Sequence, residues 1–139
     1  MIQLVYASRP LGFDAAILSC ILVQARAFNA KHDLTGALIC RNDLYLQLIE
    51  GPQDTVTSLY ERIKQDDRHA NIIELVRRPV QFRLFPAWAM RDDPVQSWMW
   101  SREDVAAGRV ENAGVDEVLA VFVRLANKKP TVVTQTVPE

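Results

Sequence analysis

The sequence predicts an α+β fold with a ferredoxin-like β-α-β-β-α-β-β order. That order gives a mixed five-stranded sheet, two helices on one face and a C-terminal helical cap on the other. Three observations carry the prediction. Residues 44–50 alternate as a strand, with Leu44, Leu46 and Leu48 on one face and Tyr45, Gln47 and Ile49 on the other. Hairpin chemistry at Arg41-Asn42-Asp43 joins this strand to an apolar run before it, and Gly51-Pro52 leads into a helix after it. Beyond Arg91 the pattern turns helical, enough to cover a bare sheet face. A chain of 139 residues fits one core.

Taken in order, residues 2–8 alternate as a strand, with Ile2, Leu4, Tyr6 and Ser8 on one side, and Arg9-Pro10-Leu11-Gly12 breaks it. Asp14 is a good N-cap for a helix running to about residue 30. Ile17, Ile21, Gln24, Ala25 and Phe28 recur on it at helical spacing, and Asn29 ends one edge of the stripe. Residues 34–40 read as a second strand. Gly36 inside it lets another backbone or a ligand come close. After the hairpin and residues 44–50, Pro52 takes the first helical position, and Val56, Leu59, Tyr60 and Ile63 form the buried stripe. Arg62 and Asp66 are i, i+4 neighbours on another face.

Residues 71–80 read as a fourth strand and residues 85–90 as a short fifth, which Pro86 places at a sheet edge. Asp92-Asp93-Pro94 opens a short helix carrying Trp98 and Trp100. A turn or two of helix at 103–109 and a longer helix at 115–127 complete the cap. Val115, Val118, Leu119, Phe122 and Leu125 or Ala126 form the stripe of that last helix. Residues 131–139 have no periodicity and read as a mobile tail.

Charge and composition exclude several classes. The formal net charge is -1, so nothing electrostatic points to nucleic acid or an anionic lipid surface. No apolar run approaches the roughly 18 residues that span a membrane. The opening MIQLVYAS enters a strand pattern directly, without the basic-then-apolar order of a leader. Cys20 and Cys40 read as small buried hydrophobes of a reducing compartment, and a cytoplasmic protein is expected.

His32 and His69 both fall in polar segments that read as exposed, without metal-ligand spacing. A phosphate loop, a nucleophile elbow and a carboxylate pair are missing. An enzyme built on this chain is short of acids, bases and nucleophiles, and no enzymatic turnover is expected.

What remains is a set of uncharged polar groups: Tyr6, Ser8, Asn29 and Gln47. Each has an ordinary structural account. Gln47 can bond a nearby backbone or point into a polar pocket. Tyr6 can be a buried strand aromatic with a bonded hydroxyl, and Asn29 a helix-end residue. Arg62 and Asp66 can be a surface pair, Trp88 a sheet-edge aromatic and Met90 a gap filler.

Five segments occurring together favour a functional account. LVYAS with Tyr6, ARAFNAKHDLTGALI with Asn29, YLQLIEGP with Gln47, LYERIKQDDRH with Arg62 and Asp66, and FPAWAM with Trp88 and Met90 stand in one order. In these segments the chain resembles the BLUF domain, a bacterial blue-light sensor that uses flavin. The resemblance covers residues 1–92 and implies a flavin-binding domain there, with 93–139 as cap and tail. It implies FAD, with FMN or riboflavin as alternatives, held between the two helices.

Carried over, Tyr6 would give an electron and a proton to the photoexcited flavin. The amide of Gln47 would rotate or tautomerise, rewiring its hydrogen bonds. Asn29, Arg62 and Asp66 would bind the flavin, Ser8 would support them, and Trp88 and Met90 would relay the switch to the sheet. The resemblance leaves open whether Trp88 lies in or out of the pocket. Phe28 stands where many relatives carry Asn or His, so a hydrogen bond to the ring is lost there.

The reading is a short photoreceptor signalling through a partner protein, such as a cyclic-di-nucleotide enzyme or regulator, or through self-association as a homo-oligomer. The expected surface is an apolar cluster of Trp98, Met99 and Trp100. The rivals are a flavin-free ferredoxin-like oligomeric adaptor and a small flavoenzyme.

Overall fold

The strand 44–50 is the middle of the sheet because it is apolar on both faces, as a strand covered on both sides must be. The computed structural model describes residues 1–128 apart from Phe13 and Ser97. Its elements are β1 (Ile2–Pro10), α1 (Ala15–Lys31), β2 (Thr35–Arg41), β3 (Leu44–Gly51), α2 (Gln53–Lys64), β4 (His69–Pro79), β5 (Arg91–Pro94), α3 (Arg102–Ala106) and α4 (Val115–Ala126). The five strands lie in the order β4-β1-β3-β2-β5. β2 and β5 pair parallel and the other neighbours antiparallel, so the sheet is mixed, as expected.

The two sheet faces carry separate cores. Val5, Ala7, Ala37, Ile39, Leu44, Leu46 and Leu48 pack with Phe85, Trp100, Val105 and the α4 residues Val118, Leu119, Phe122 and Leu125. Ile2, Leu4, Tyr6 and Ile49 pack with Val56 and Tyr60 of α2, and Leu38, Cys40 and Tyr45 pack with Leu22 of α1. The cap and the two long helices therefore cover opposite faces, as the alternation predicts. Val115, expected in the cap stripe, is exposed because it opens α4.

Local chemistry explains several element ends. The Asp14 carboxylate accepts from the Ile17 backbone N–H at 2.8 Å and caps α1. Pro52 stands at the N-cap of α2, one place before the expected first helical position. Ser101 and Asp104 form a capping box on α3. Gly36 has a concrete reason: a Cβ there would stand 1.9 Å from the Leu48 carbonyl oxygen, so the close partner is β3 backbone.

The structure corrects the reading of residues 85–95. The fifth strand is Arg91–Pro94, not 85–90, and no helix starts at Asp92. Two backbone donors of the preceding loop are taken by a side chain. The buried Glu50 carboxylate accepts from the N–H groups of Leu84 (2.9 Å) and Phe85 (2.6 Å), and a turn closes from Trp88 N–H to Phe85 carbonyl. Hydrogen bonds spent this way are not free for a ladder. β5 does lie at an edge, beside β2 alone. Its Arg91 and Asp93 form a buried ion pair at 2.7 Å.

Three smaller expectations also change. Cys20 is exposed while Cys40 is buried. Trp100 is buried in the cap core and Trp98 half-buried, so the expected apolar surface cluster is smaller than its sequence suggests. The stretch read as a tail, 131–139, lies outside the described residues. Among the described residues no helix is long and apolar enough to cross a membrane.

Candidate functional site

The β1–β3 register sets Tyr6 directly opposite Gln47, and both side chains project toward α1 and α2. Facing residues of an antiparallel pair are within contact distance. The Tyr6 hydroxyl donates to Gln47 Oε1. With its oxygen so engaged, the Gln47 amide turns Nε2 to the Met90 thioether sulfur at 3.5 Å. Met90 is itself only 1% exposed.

These groups form the floor of a cleft of about 170 Å³ between the helices. Ile21, Ala25 and Phe28 of α1 and Leu59 and Ile63 of α2 form its apolar walls. The α1 stripe is only half-buried, because Ile21 and Ala25 border this space as well as packing against Leu38, Cys40 and Tyr45 of the sheet. Tyr6, Asn29, Gln47, Arg62 and Asp66 all line the cleft.

Ser8, Trp88 and Met90 do not line it. Ser8 lies behind it, bonded to His69, and Met90 meets Gln47 from the far side. Trp88 is 38% exposed on the surface, its carbonyl accepting from the Gly36 N–H at 3.1 Å.

Asn29 is fully buried near the end of α1. Its Nδ2 donates to the Ala89 carbonyl at 2.6 Å, which leaves Oδ1 buried with no partner among the described residues. A buried carbonyl without a donor is uncommon and marks a place for a ligand or an ordered water. Arg26 works beside it, donating to the Met90 carbonyl at 3.0 Å and pairing with Asp92 at 2.8 Å. Residues 89–92 are thus held by α1 on one side and by Gln47 on the other.

The rim differs from expectation. α2 ends at Lys64, so Asp66 is past the helix and does not pair with Arg62. Its partner is Arg68, at 2.5 Å, and that guanidinium holds the Asp66 carboxyl below the usual carboxylate range. Arg62 instead lies over the Phe28 ring at 4.7 Å, with no ion pair among the described residues. Phe28 stacks in turn on His32 at 4.0 Å.

His69, expected to be exposed, is buried. Its ring nitrogens meet Ser8 Oγ at 2.7 Å and the Ile63 carbonyl at 2.8 Å. Sequence reasoning passed over Arg26, Arg68, His69 and Tyr45. The run Asp66-Asp67-Arg68-His69 offered a signal in its mixed charge beside the helix end.

Burial, with Tyr60, Asp66 and Tyr45 nearby, raises the Tyr6 phenol far above its ordinary range, so it is a neutral donor at physiological pH. Burial likewise pushes the Cys40 thiol up to about 12, which removes it as a nucleophile. Among the described residues no group of His, Cys, Asp and Glu is placed to hold a metal ion.

Apolar walls, amide edges at Asn29 and Gln47, and a cation at the rim suit a flat heteroaromatic ring with polar edges and an anionic tail. Residues 1–91 match the sequence family described as BLUF, sensors of blue light using FAD. The chain belongs to the BLUF family. Over 85 residues it is 39% identical to a photoactivated adenylate cyclase subunit beta of Euglena gracilis. That match covers 60% of this chain and 10% of the cyclase subunit, so the chain spans about a tenth of the length of that relative.

Two solved structures share its fold. The dark-state structure of the BLUF protein BlrB is 27% identical, with a TM-score of 0.75 over 90% of this chain and 94% of that one. The photo-activated state of BlsA, at 24% identity, gives a TM-score of 0.74 over 95% and 99% and shows the likeness of fold.

Proposed function

We propose that this BLUF chain is a blue-light photoreceptor that binds FAD and switches through Tyr6 and Gln47. The continuous Tyr6–Gln47–Met90 contact, from the cleft to β5, is the observation that carries the reading. Flavin, when bound, supplies the blue absorption and an excited state able to take an electron and a proton from a phenol.

Tyr6 holds its proton at Oη, aimed at Gln47 Oε1. Gln47 has two arrangements of nearly equal shape, because an amide can exchange its oxygen and nitrogen by rotation about the last torsion. In the observed arrangement the oxygen accepts from Tyr6 and the nitrogen faces sulfur. Rotation puts an N–H donor at Tyr6 and an oxygen at the Met90 thioether; tautomerisation changes the same pair of contacts. The new oxygen–sulfur contact is unfavourable, so Met90 has reason to move. Asn29 and Arg26 hold the backbone on either side of it, so the displacement passes into β5 and α1. Trp88 takes part from the protein surface, where its half-open side chain can meet a partner.

Asn29 Oδ1, Arg62 and Asp66 would bind the polar edge and tail of the flavin. Coupling to a partner need be only about 1–3 kcal/mol to bias its state. The partner we favour is a cyclic-nucleotide or cyclic-di-nucleotide enzyme or its regulator, with self-association as the other route. The Euglena relative, by its description, joins photoactivation to adenylate cyclase activity. The chain itself is proposed to act without turnover.

The test is the visible spectrum of the purified protein in darkness, under blue light and after a dark wait, with FAD, FMN and riboflavin each supplied. A red shift that relaxes back, without consumption of NAD(P)H, is expected. Bleaching alone would favour a redox flavoenzyme. A colourless protein that refuses all three flavins would overturn the reading. Size-exclusion chromatography in light and darkness separates self-association from a partner.

A further inference from the structure

We infer that His69, acting through Ser8, is a positioning residue that fixes the aim of Tyr6 toward Gln47. The inference deepens the sensor reading above and rests on it. It starts from an interruption in the sheet. The β1–β4 register shifts between Val5 and Tyr6 and again between Ala7 and Arg9. Tyr6 and Ala7 are therefore flanked by irregularities, and Ser8 has no Cα partner on β4. A ladder broken in this way bends and re-aims side chains, so something else must fix the direction of Tyr6.

The side chains of Ser8 and His69 close that gap at 2.7 Å, both buried. The other ring nitrogen, Nε2, reaches the Ile63 carbonyl near the end of α2 at 2.8 Å. A carbonyl only accepts, so Nε2 carries the hydrogen. In the neutral ring Nδ1 is then bare, and the Ser8 hydroxyl donates to it. One imidazole thus ties β1 and α2 to the start of β4. It stands edge-on to Tyr6, with centroids 6.1 Å apart and planes at 70°, while Tyr60 of α2 lies on Tyr6 at 5.7 Å.

The groups around the ring are Tyr6 and Ser8 from β1, Tyr45 from β3 at 6.3 Å, the Ile63 carbonyl from α2, and Asp66 with Arg68 in the link to β4. Asp66 is engaged by Arg68, and α1 reaches this region through Gln24 and Cys20 on Arg68. The ring is therefore held at both nitrogens, and the clamp on Tyr6 rests on those two contacts.

The experiment uses the full chain, with and without FAD, and reads two signals by NMR. Nitrogen-15 shifts give the tautomer of His69. Hydrogen exchange gives the protection of the Tyr6 hydroxyl. The Nε2–H tautomer is expected. Losing the clamp should speed hydroxyl exchange about tenfold, the worth of one net hydrogen bond. Ser8→Ala should show that increase. His69→Gln, which keeps an amide donor for Ile63 and an oxygen for Ser8, should stay near the wild-type rate, whereas His69→Leu should show the increase.

An Nδ1–H tautomer at neutral pH would overturn the proposal. So would Tyr6 protection unchanged in Ser8→Ala or in His69→Leu. Both readouts exist without flavin. A wild-type protein lacking a light-induced shift would sink the sensor reading alone, whereas a normal shift with an insensitive Tyr6 would sink this inference alone.

Discussion

Tyr6 and Gln47 are buried polar groups whose worth lies in facing each other. Tyr6→Phe removes the proton on Oη, and Gln47→Leu removes both ends of the amide. Each variant should still bind flavin but lose the reversible red shift, and difference spectra in light and darkness check this. A normal photocycle in either would contradict the role given to that residue. Trp88→Ala should keep the shift, since the side chain lies outside the cleft lining, and should change the dark-recovery rate or partner binding. Unchanged kinetics and binding would remove Trp88 from the relay. Tyr6, Asn29 and Gln47 stood out in the sequence because an amide or phenol on an apolar stripe has to be accounted for, and it was the resemblance of their segments to BLUF that favoured a site over an ordinary buried pairing. Arg26, Arg68 and His69 were not. Their partners, Met90 carbonyl, Gln24 and Ser8, lie 64, 44 and 61 residues away, and no local pattern encodes such contacts.

At the scale of elements, the two inner strands were the easiest to read and β5 the hardest. Period-2 alternation with a hairpin turn between is a strong signal, and β2 and β3 carry it. β5 reads Arg-Asp-Asp-Pro, residue types poor in strands, and is held by parallel pairing to β2 and by the Arg91–Asp93 pair. Asp93→Asn should leave the Arg91 charge buried without its carboxylate, costing about 3–5 kcal/mol. The double change Arg91→Met, Asp93→Leu should cost far less, because no charge is left behind. Urea denaturation of the three proteins would test the ordering. Gly36→Ala sets a Cβ against the β3 backbone, which cannot move without breaking the central ladder. A loss of about 3 kcal/mol or more is expected from the same measurement.

At the scale of the whole molecule, the sheet separates the cleft from the cap. One face holds the cleft and the other the cap; the segment before β5 puts Phe85 in the cap-side core, and β5 itself pairs Asp92 with Arg26 of α1. Acid should act on the rim of the cleft before the core. The Asp66 carboxyl is depressed by Arg68, so its contribution is full above the ordinary carboxylate range and is lost as pH falls through its lowered value. The pair is partly exposed, so the contribution is under about 1 kcal/mol. Arg68→Gln should flatten the acid limb of thermal stability measured from neutral pH downward.

The sequence by itself determined the fold class, the two-sided sheet, the cleft-facing identity of Tyr6, Asn29 and Gln47, and the likeness to BLUF. These rest on periodicity, turn chemistry and motif order, all of which are local properties of the chain. Only the tertiary structure decided where β5 runs, that Asp66 belongs to Arg68, that Trp100 is core, and that His69 is buried against Ser8. In each of these cases the local preference is weak. Hydrogen bonds and ion pairs to distant residues outweigh it, because a buried polar group left unpaired costs more than any propensity returns.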